Sequence, residues 1–103
     1  MNNQISHWRI YLAEFVGTAL LILLGLSVVI FMFGSGSVMA DLIPNIKVRQ
    51  SLTGFIFGSI GASISLTALG KESGAHINPA VTMVFWLFKK IDSQTAFFYV
   101  IMQ

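Results

Sequence analysis

Residues 10–33 constrain the fold more than any other part of the sequence, because their only charged side chain is that of Glu14. A bilayer core about 30 Å thick is crossed by about 20 helical residues, so this segment predicts a transmembrane helix. Composition agrees, since 55% of the 103 residues are apolar and 10% are charged, whereas soluble domains have about 25% charged residues. We therefore expect a single membrane domain that contacts the lipid bilayer, and not a soluble enzyme.

Charge and cysteine content exclude several other classes of protein. The net charge of +2 comes without the dense basic stripe of a nucleic-acid-binding protein. The absence of cysteine excludes disulfides, Cys-ligated zinc and thiol catalysis. His7 and His76 are far apart, and no arrangement of Ser, His and Asp suggests nucleophilic catalysis. We expect no enzyme activity, no metal, no cofactor and no nucleic-acid partner.

The uncharged run 51–69 predicts a second transmembrane helix. Small residues recur in it every fourth position, which would let another helix approach closely, and the isoleucines form a separate stripe. We expect the small residues to face protein and the isoleucines to face lipid, although glycine is simply common in membrane helices. The two stripes are Gly54, Gly58 and Ala62, and Ile56, Ile60 and Ile64.

The apolar run 79–88 is too short to cross a bilayer, since about ten helical residues extend only about 15 Å. Its ends still predict a helix, because Asn78 is a good N-cap and Pro79 suits the first helical position. A surface helix would have a charged face, and this one has none. Of the three candidates, a surface helix, a soluble core helix and a re-entrant half-helix, the sequence favours the last.

A third apolar run, 95–103, is also too short to span a membrane. The run suggests a truncated or split protein. The predicted segments are a polar N-terminus at 1–9, transmembrane helix 1 at 10–33, an extramembrane loop at 34–50, transmembrane helix 2 at 51–69, a re-entrant loop and half-helix at 70–88, a connector at 89–94 and the start of helix 3 at 95–103.

A half-helix that ends inside a membrane suits the passage of neutral solutes. Its N-terminus presents unpaired N–H groups and about half a positive charge, which repels cations but not water. The amide of Asn78 adds two donors, and the preceding loop, 73–77, can supply carbonyl acceptors. Such a path offers too little compensation to a dehydrated ion.

Two stretches and one single residue resemble the aquaporin, or major intrinsic protein, family. Residues 73–82, SGAHINPAVT, look like its first signature loop, and residues 13–18, AEFVGT, look like its first-helix motif. Gln103 matches a glutamine typical of its third helix. The resemblance implies an all-α membrane fold of two inverted repeats with six spanning helices and two half-helices, of which this chain is the first repeat.

The resemblance also implies roles for individual residues. Asn78 would donate at the central constriction, with Pro79 and Ala80 completing the tip of the half-helix. Glu14 would be a buried carboxylate that holds the loop by hydrogen bonds. The remaining implied roles are pore-lining carbonyls at Gly74, Ala75, His76 and Ile77, with the His76 side chain bracing the loop.

The family's selectivity filter takes one residue from the second helix, and two positions qualify here. A gapless count reaches Gly58, which would widen the filter and admit glycerol-like solutes. A shift of one residue reaches Phe57, which would narrow the filter and favour water. The count without a gap favours Gly58 slightly.

The resemblance implies a passive channel for water or small uncharged solutes in the plasma (inner) membrane, with a cytoplasmic N-terminus. The loop 34–50 would then be extracytoplasmic and the connector 89–94 cytoplasmic. The resemblance also implies a homotetramer and a missing second repeat as partner. One alternative is a small proton-coupled multidrug antiporter that uses Glu14, because intramembrane carboxylates are functional suspects. A non-conducting membrane fragment is the other alternative.

Overall fold

A computed structural model describes residues 3–103, and it describes side chains from His7 onward. The first two residues of the predicted segment 1–9 lie outside the described residues. All six regular elements in the described range are helices, as the sequence predicts. They are α1 (Asn3–Phe33), α2 (Met39–Leu42), α3 (Ile46–Leu66), α4 (Ala68–Ser73), α5 (Pro79–Leu87) and α6 (Ser93–Met102).

α1 is the longest element, and its 31 residues extend about 45 Å. Within residues 3–103, the segment His7–Phe33 is the one helix that is long and apolar enough to cross a membrane. The far end of α1 is held by Arg49, whose guanidinium donates to the Met32 carbonyl over 3.0 Å and lies over the Phe33 ring. This contact joins the end of α1 to the first turns of α3.

α3 begins and ends differently from the predicted span 51–69. It begins at Ile46 because the Asn45 side chain caps it, accepting hydrogen bonds from the amides of Lys47 and Val48. It ends at Leu66 because the backbone of Thr67 is extended. The hydroxyl and the amide of Thr67 both donate to the Ile64 carbonyl. Residues 68–73, predicted as helix end and loop, form the separate helix α4.

The contact between α1 and α3 corrects the prediction for the faces of the second helix. Ile64 is buried against the protein, whereas Gly54 and Gly58 have open space where a Cβ would lie. The close approach uses Gly25 of α1 instead, since a Cβ there would collide with the Phe57 ring. The small residue lies on α1 and the large one on α3, which the spacing within α3 alone could not indicate.

α5 and α6 are short helices with well-formed ends. Asn78 caps α5 through its side-chain oxygen, which accepts from the Ala80 amide over 2.8 Å, and Asp92 caps α6 in the same way. The two amides after α5, those of Lys89 and Lys90, return to carbonyls of its last turn at 3.0 and 2.9 Å. This is a Schellman ending, with Lys89 at φ +58 where glycine is usual.

Candidate functional site

Glu14 lies at the centre of the candidate site and is completely buried. One carboxylate oxygen accepts from the Ser73 hydroxyl at 2.6 Å and from the His76 amide at 3.1 Å. The other accepts from the Ile77 amide at 2.9 Å and from the Gln103 side-chain amide at 2.5 Å. All four partners donate, so they satisfy a carboxylate, which has about four acceptor positions and no proton to give. Glu14 thereby ties α1 to the loop before α5 and to the end of α6.

The backbone of this loop is held in an unusual conformation. Gly74, Ala75 and Ile77 all have positive φ, at 86°, 52° and 42°. Non-glycine residues in this region cost about 1–3 kcal/mol each and persist only when their surroundings fix them. The hydrogen bonds from the loop to Glu14 are such a constraint.

The loop amides and the loop carbonyls have different environments. The amides of residues 74–77 donate in order to the Gly70 carbonyl, the Ser73 hydroxyl and the two oxygens of Glu14. Within residues 3–103, the hydrogen bonds leave the carbonyls of the same four residues without a donor. The loop therefore keeps a run of unused acceptors while its donors are engaged.

His76 is braced by the two helices that follow it. Its ring stacks on Phe85 with centroids 4.5 Å apart, and its Nδ1 lies 3.1 Å from the hydroxyl of Thr82, a side chain that is itself completely buried. Tyr99 of α6 packs against the same ring and donates its hydroxyl to the Ser73 carbonyl at 2.6 Å. The loop is thus fixed at both ends of its strained segment.

Asn78 follows this loop directly. Its side-chain oxygen is used as the cap of α5, and within the described chain its side-chain NH₂ has no hydrogen-bond acceptor. Pro79 occupies the first helical position, and the Thr82 amide returns to the Asn78 carbonyl at 3.1 Å. The free acceptors of residues 74–77 are therefore followed at once by free donors at the helix tip.

Gly17 is a second residue of the AEFVGT stretch that contributes to the site. A Cβ at Gly17 would lie 3.0 Å from Cγ2 of Ile77, so only glycine lets the loop approach α1 without displacement. Ala13, one turn earlier, is also buried. This stretch supplies the carboxylate and the space that the loop requires.

The two filter candidates lie in different environments. The ring of Phe57 occupies the space beside Gly25, in the contact between α1 and α3. Gly58 has no atom within 4 Å of the position of an added Cβ. Phe57 is therefore engaged in helix packing, whereas Gly58 borders open space.

Three side chains that brace the loop were not predicted to do so: those of Ser73, Thr82 and Tyr99. The carbonyl of Ser73, predicted with 74–77 as a free acceptor, is instead engaged by the Tyr99 hydroxyl. Ser73 and Thr82 fall inside the 73–82 stretch, where hydroxyls beside a buried carboxylate are a usable signal. Tyr99 gives no such signal, because it is one aromatic residue in an apolar helix. Among the described residues, no group of three or more His, Cys, Asp or Glu side chains is placed to hold a metal ion.

Comparison with known proteins gives a consistent result. The family model "Major intrinsic protein" matches residues 1–103. The chain is 36% identical over 90 residues to a glycerol uptake facilitator protein of Buchnera aphidicola, covering 87% of this chain and 30% of that protein. It is 37% identical over 95 residues to "glycerol uptake facilitator protein-like 6" of Lactiplantibacillus plantarum, covering 92% and 37%.

A fungal protein, Aquaporin-2 of Rhizopus delemar, is 35% identical over 81 residues, which cover 78% of this chain and 22% of that protein. No solved structure matches the chain significantly. The chain spans only about a third of the length of the curated relatives it matches. Because the family model covers every residue, the chain belongs to the major intrinsic protein family.

Proposed function

We propose that this chain forms half of a passive membrane channel for water and small uncharged solutes such as glycerol. One observation carries the proposal: the carbonyls of residues 74–77 are free while their amides are tied to Glu14, Ser73 and Gly70. A neutral polar solute needs acceptors and donors in succession, and these carbonyls are followed by the free amide of Asn78.

Exclusion of ions follows from the same residues. Pro79 and Ala80 form the tip of α5, whose positive dipole end opposes an approaching cation. Four carbonyls on one side of a path replace too few hydration contacts for a bare ion. Glu14 and His76 act in this scheme as positioning residues that hold the loop, not as groups that touch the solute.

A glycine at the filter position would favour a wide channel. We assign this position to Gly58, because the ring of Phe57 already packs against Gly25 and Gly58 borders open space. A filter without a side chain at this position suits glycerol as well as water. The glycerol facilitators among the relatives are consistent with this assignment.

The complete pore requires a second repeat as partner, and the channel is proposed to be a homotetramer in the plasma (inner) membrane. A cytoplasmic N-terminus places more of the basic residues on the inside, in the sense of the positive-inside rule. The cytoplasmic set would be Arg9, Lys71, Lys89 and Lys90, and the outer set Lys47 and Arg49.

The antiporter alternative is less well supported. It requires a Glu14 that exchanges protons and binds substrate, but this carboxylate is completely buried and all four of its acceptor positions are occupied. Proton-coupled drug efflux that is lost in Glu14→Gln would restore this alternative.

Stopped-flow swelling of proteoliposomes tests the channel. The longest reading frame that contains this chain is reconstituted, and water and glycerol permeabilities are measured separately. Gly58→Phe should lower the glycerol permeability more than the water permeability, and Asn78→Leu should lower both. Gly54→Ala is the matched control, because it changes another open glycine of the same helix. Unchanged permeabilities in Asn78→Leu would show that the pore assignment is wrong.

A further inference from the structure

A cavity lies at the end of α5 opposite the proposed pore. It has a volume of about 640 Å³ and opens between the last turn of α5 and the first turn of α6. All of its lining residues fall within positions 86–93, so no distant part of the chain is needed to form it. The lining includes Trp86, Leu87, Lys89, Lys90, Asp92 and Ser93.

The charge around this cavity is positive. Lys89 and Lys90 contribute two ammonium groups, and within the described chain neither has a carboxylate within ion-pair distance. The one carboxylate of the lining, that of Asp92, is engaged as the cap of α6 and accepts from the Thr95 amide at 2.7 Å. An anion in the cavity would therefore meet two ammonium groups without ion-pair partners and one carboxylate, so the lining has a net charge of about +1.

The backbone conformation at Lys89 is one that lysine rarely adopts. Lys89 occupies the Schellman position with φ +58, which glycine adopts without strain and lysine does not. A cation is present where the backbone conformation favours glycine. Interaction with the negative end of the α5 dipole accounts for part of this, but the dipole effect acts on any cation in the last turn and does not require this position.

The rest of the surroundings is apolar and aromatic. The indole of Trp86 donates to the Ser93 hydroxyl at 3.0 Å, which fixes the ring at the edge of the cavity. Leu87 and Phe88 beside it are 63% and 72% exposed. Tryptophan and lysine together are typical of the level of lipid headgroups, where a ring and an ammonium are both accommodated.

We propose that this cavity binds the headgroup phosphate of an anionic phospholipid. Lys89 and Lys90 hold the phosphate, Trp86 packs against the glycerol region, and the acyl chains run along Leu87 and Phe88. A soluble anion would use the lysines but would leave the apolar surface beside them uncovered, so the lipid fits both halves of the site. The proposal does not depend on solute conduction by the loop.

Trp86 makes the site directly measurable. The chain has two tryptophans, and Trp8→Phe leaves Trp86 as the only indole. This variant is reconstituted in vesicles in which either phosphatidylglycerol or phosphatidylcholine carries bromine on the acyl chain near the headgroup. Bromine quenches indole fluorescence at contact, so the ratio of the two quenching curves gives the preference of the site for the anionic lipid.

Variants of Lys89 and Lys90 test whether these two side chains cause the preference for the anionic lipid. Brominated phosphatidylglycerol should quench Trp86 at lower mole fraction than brominated phosphatidylcholine. Lys89→Gly and Lys90→Gln should each reduce this preference about fivefold, the contribution of one lysine near an anionic surface. Lys47→Gln, an exposed lysine outside the cavity, should leave it unchanged. Lys89→Gly relieves the strained φ, so its loss of preference should come without loss of thermal stability.

Equal quenching by the two lipids would overturn the proposal, as would a preference that survives in the double variant of Lys89 and Lys90. Reversal of the quenching by millimolar inorganic phosphate would also overturn it, because the ligand would then be a soluble anion. An equal loss of preference in Lys47→Gln would show a diffuse surface charge and not a site.

Discussion

Two of the long-range contacts of α1 are of opposite kinds. In the first half of the helix, the buried carboxylate of Glu14 holds the loop 73–77 by accepting hydrogen bonds from it. In the second half of the helix, Gly25 leaves the space that the ring of Phe57 from α3 occupies. The first contact fixes a strained backbone by engaging its amides and leaving its carbonyls free, and directional hydrogen bonds do this well. The second only has to bring two apolar helices together, and close packing is sufficient.

The largest expected effect is on the polar contact. Glu14→Ala would leave the His76 and Ile77 amides buried without acceptors, at about 1–3 kcal/mol each, and would release the Ser73 hydroxyl as well. We expect a loss of more than about 3 kcal/mol in the free energy of unfolding in detergent, and faster hydrogen exchange at those two amides. Phe15→Ala, an exposed neighbour on the same helix, is the control. Unchanged exchange at residues 76 and 77 would show that the loop is held by other contacts.

The packing contact between Gly25 and Phe57 can be tested by changing the size of either side chain. Gly25→Val places a Cβ inside the Phe57 ring, and overpacking of this kind costs about 1–3 kcal/mol. The double variant with Phe57→Ala should be destabilised by less than the sum of the two single changes, because the ring that clashes is gone. Gly54→Ala faces open space and should be neutral or slightly stabilising. Additive effects of Gly25→Val and Phe57→Ala in thermal unfolding would contradict the contact.

A smaller effect on the free energy of unfolding is expected from the hydrogen bond that Tyr99 makes to the loop. Tyr99→Phe removes the hydroxyl that donates to the Ser73 carbonyl but keeps the ring against His76. The loss should be about 1 kcal/mol, the usual net value of one hydrogen bond. Tyr11→Phe is the matched control, because the Tyr11 ring packs on Tyr99 and the structure gives its hydroxyl no hydrogen bond to the loop. An equal loss in both variants would place the effect in aromatic packing.

The smallest effect is expected at the exposed surface near the start of α1. Arg9 and Glu72 form an ion pair at 2.9 Å between α1 and α4, and their side chains are 68% and 38% exposed. Exposed pairs contribute less than about 1 kcal/mol and are screened by salt. Arg9→Gln should therefore shift the melting temperature only at low ionic strength. A large shift that persists at high salt would mean that α4 needs this pair to stay docked.

Much of the polar region could be predicted from local sequence signals. The cap at Asn78, the proline at the first helical position and the abrupt end of the apolar run define α5 without any tertiary information. The family resemblance, which the family comparison confirms, also singles out Glu14 as a partner of the loop. Tyr99 could not be found in this way, because its role depends on where a carbonyl 26 positions earlier lies in space.

The packing region was predicted less well. The small residues of α3 form a regular pattern, but the contact with α1 is made by Phe57 and Ile64 of α3 and by Gly25 of α1. The residue pattern within one helix defines its faces, but it does not show which face packs against a neighbouring helix. The start of α3 was also missed, because the Asn45 cap extends the helix into residues that are too polar for a hydropathy window.

The sequence by itself determined the class of protein and the existence of its short helix. Hydropathy, length and caps act locally, so a membrane domain with a short apolar helix behind an Asn-Pro tip follows from them. Only the tertiary structure decided which groups remain free: the amides of the loop close onto Glu14 and its carbonyls stay open, and Gly58 remains uncovered while Phe57 is packed. The physical reason is that hydrogen-bond satisfaction and close packing depend on partners brought from distant positions in the chain.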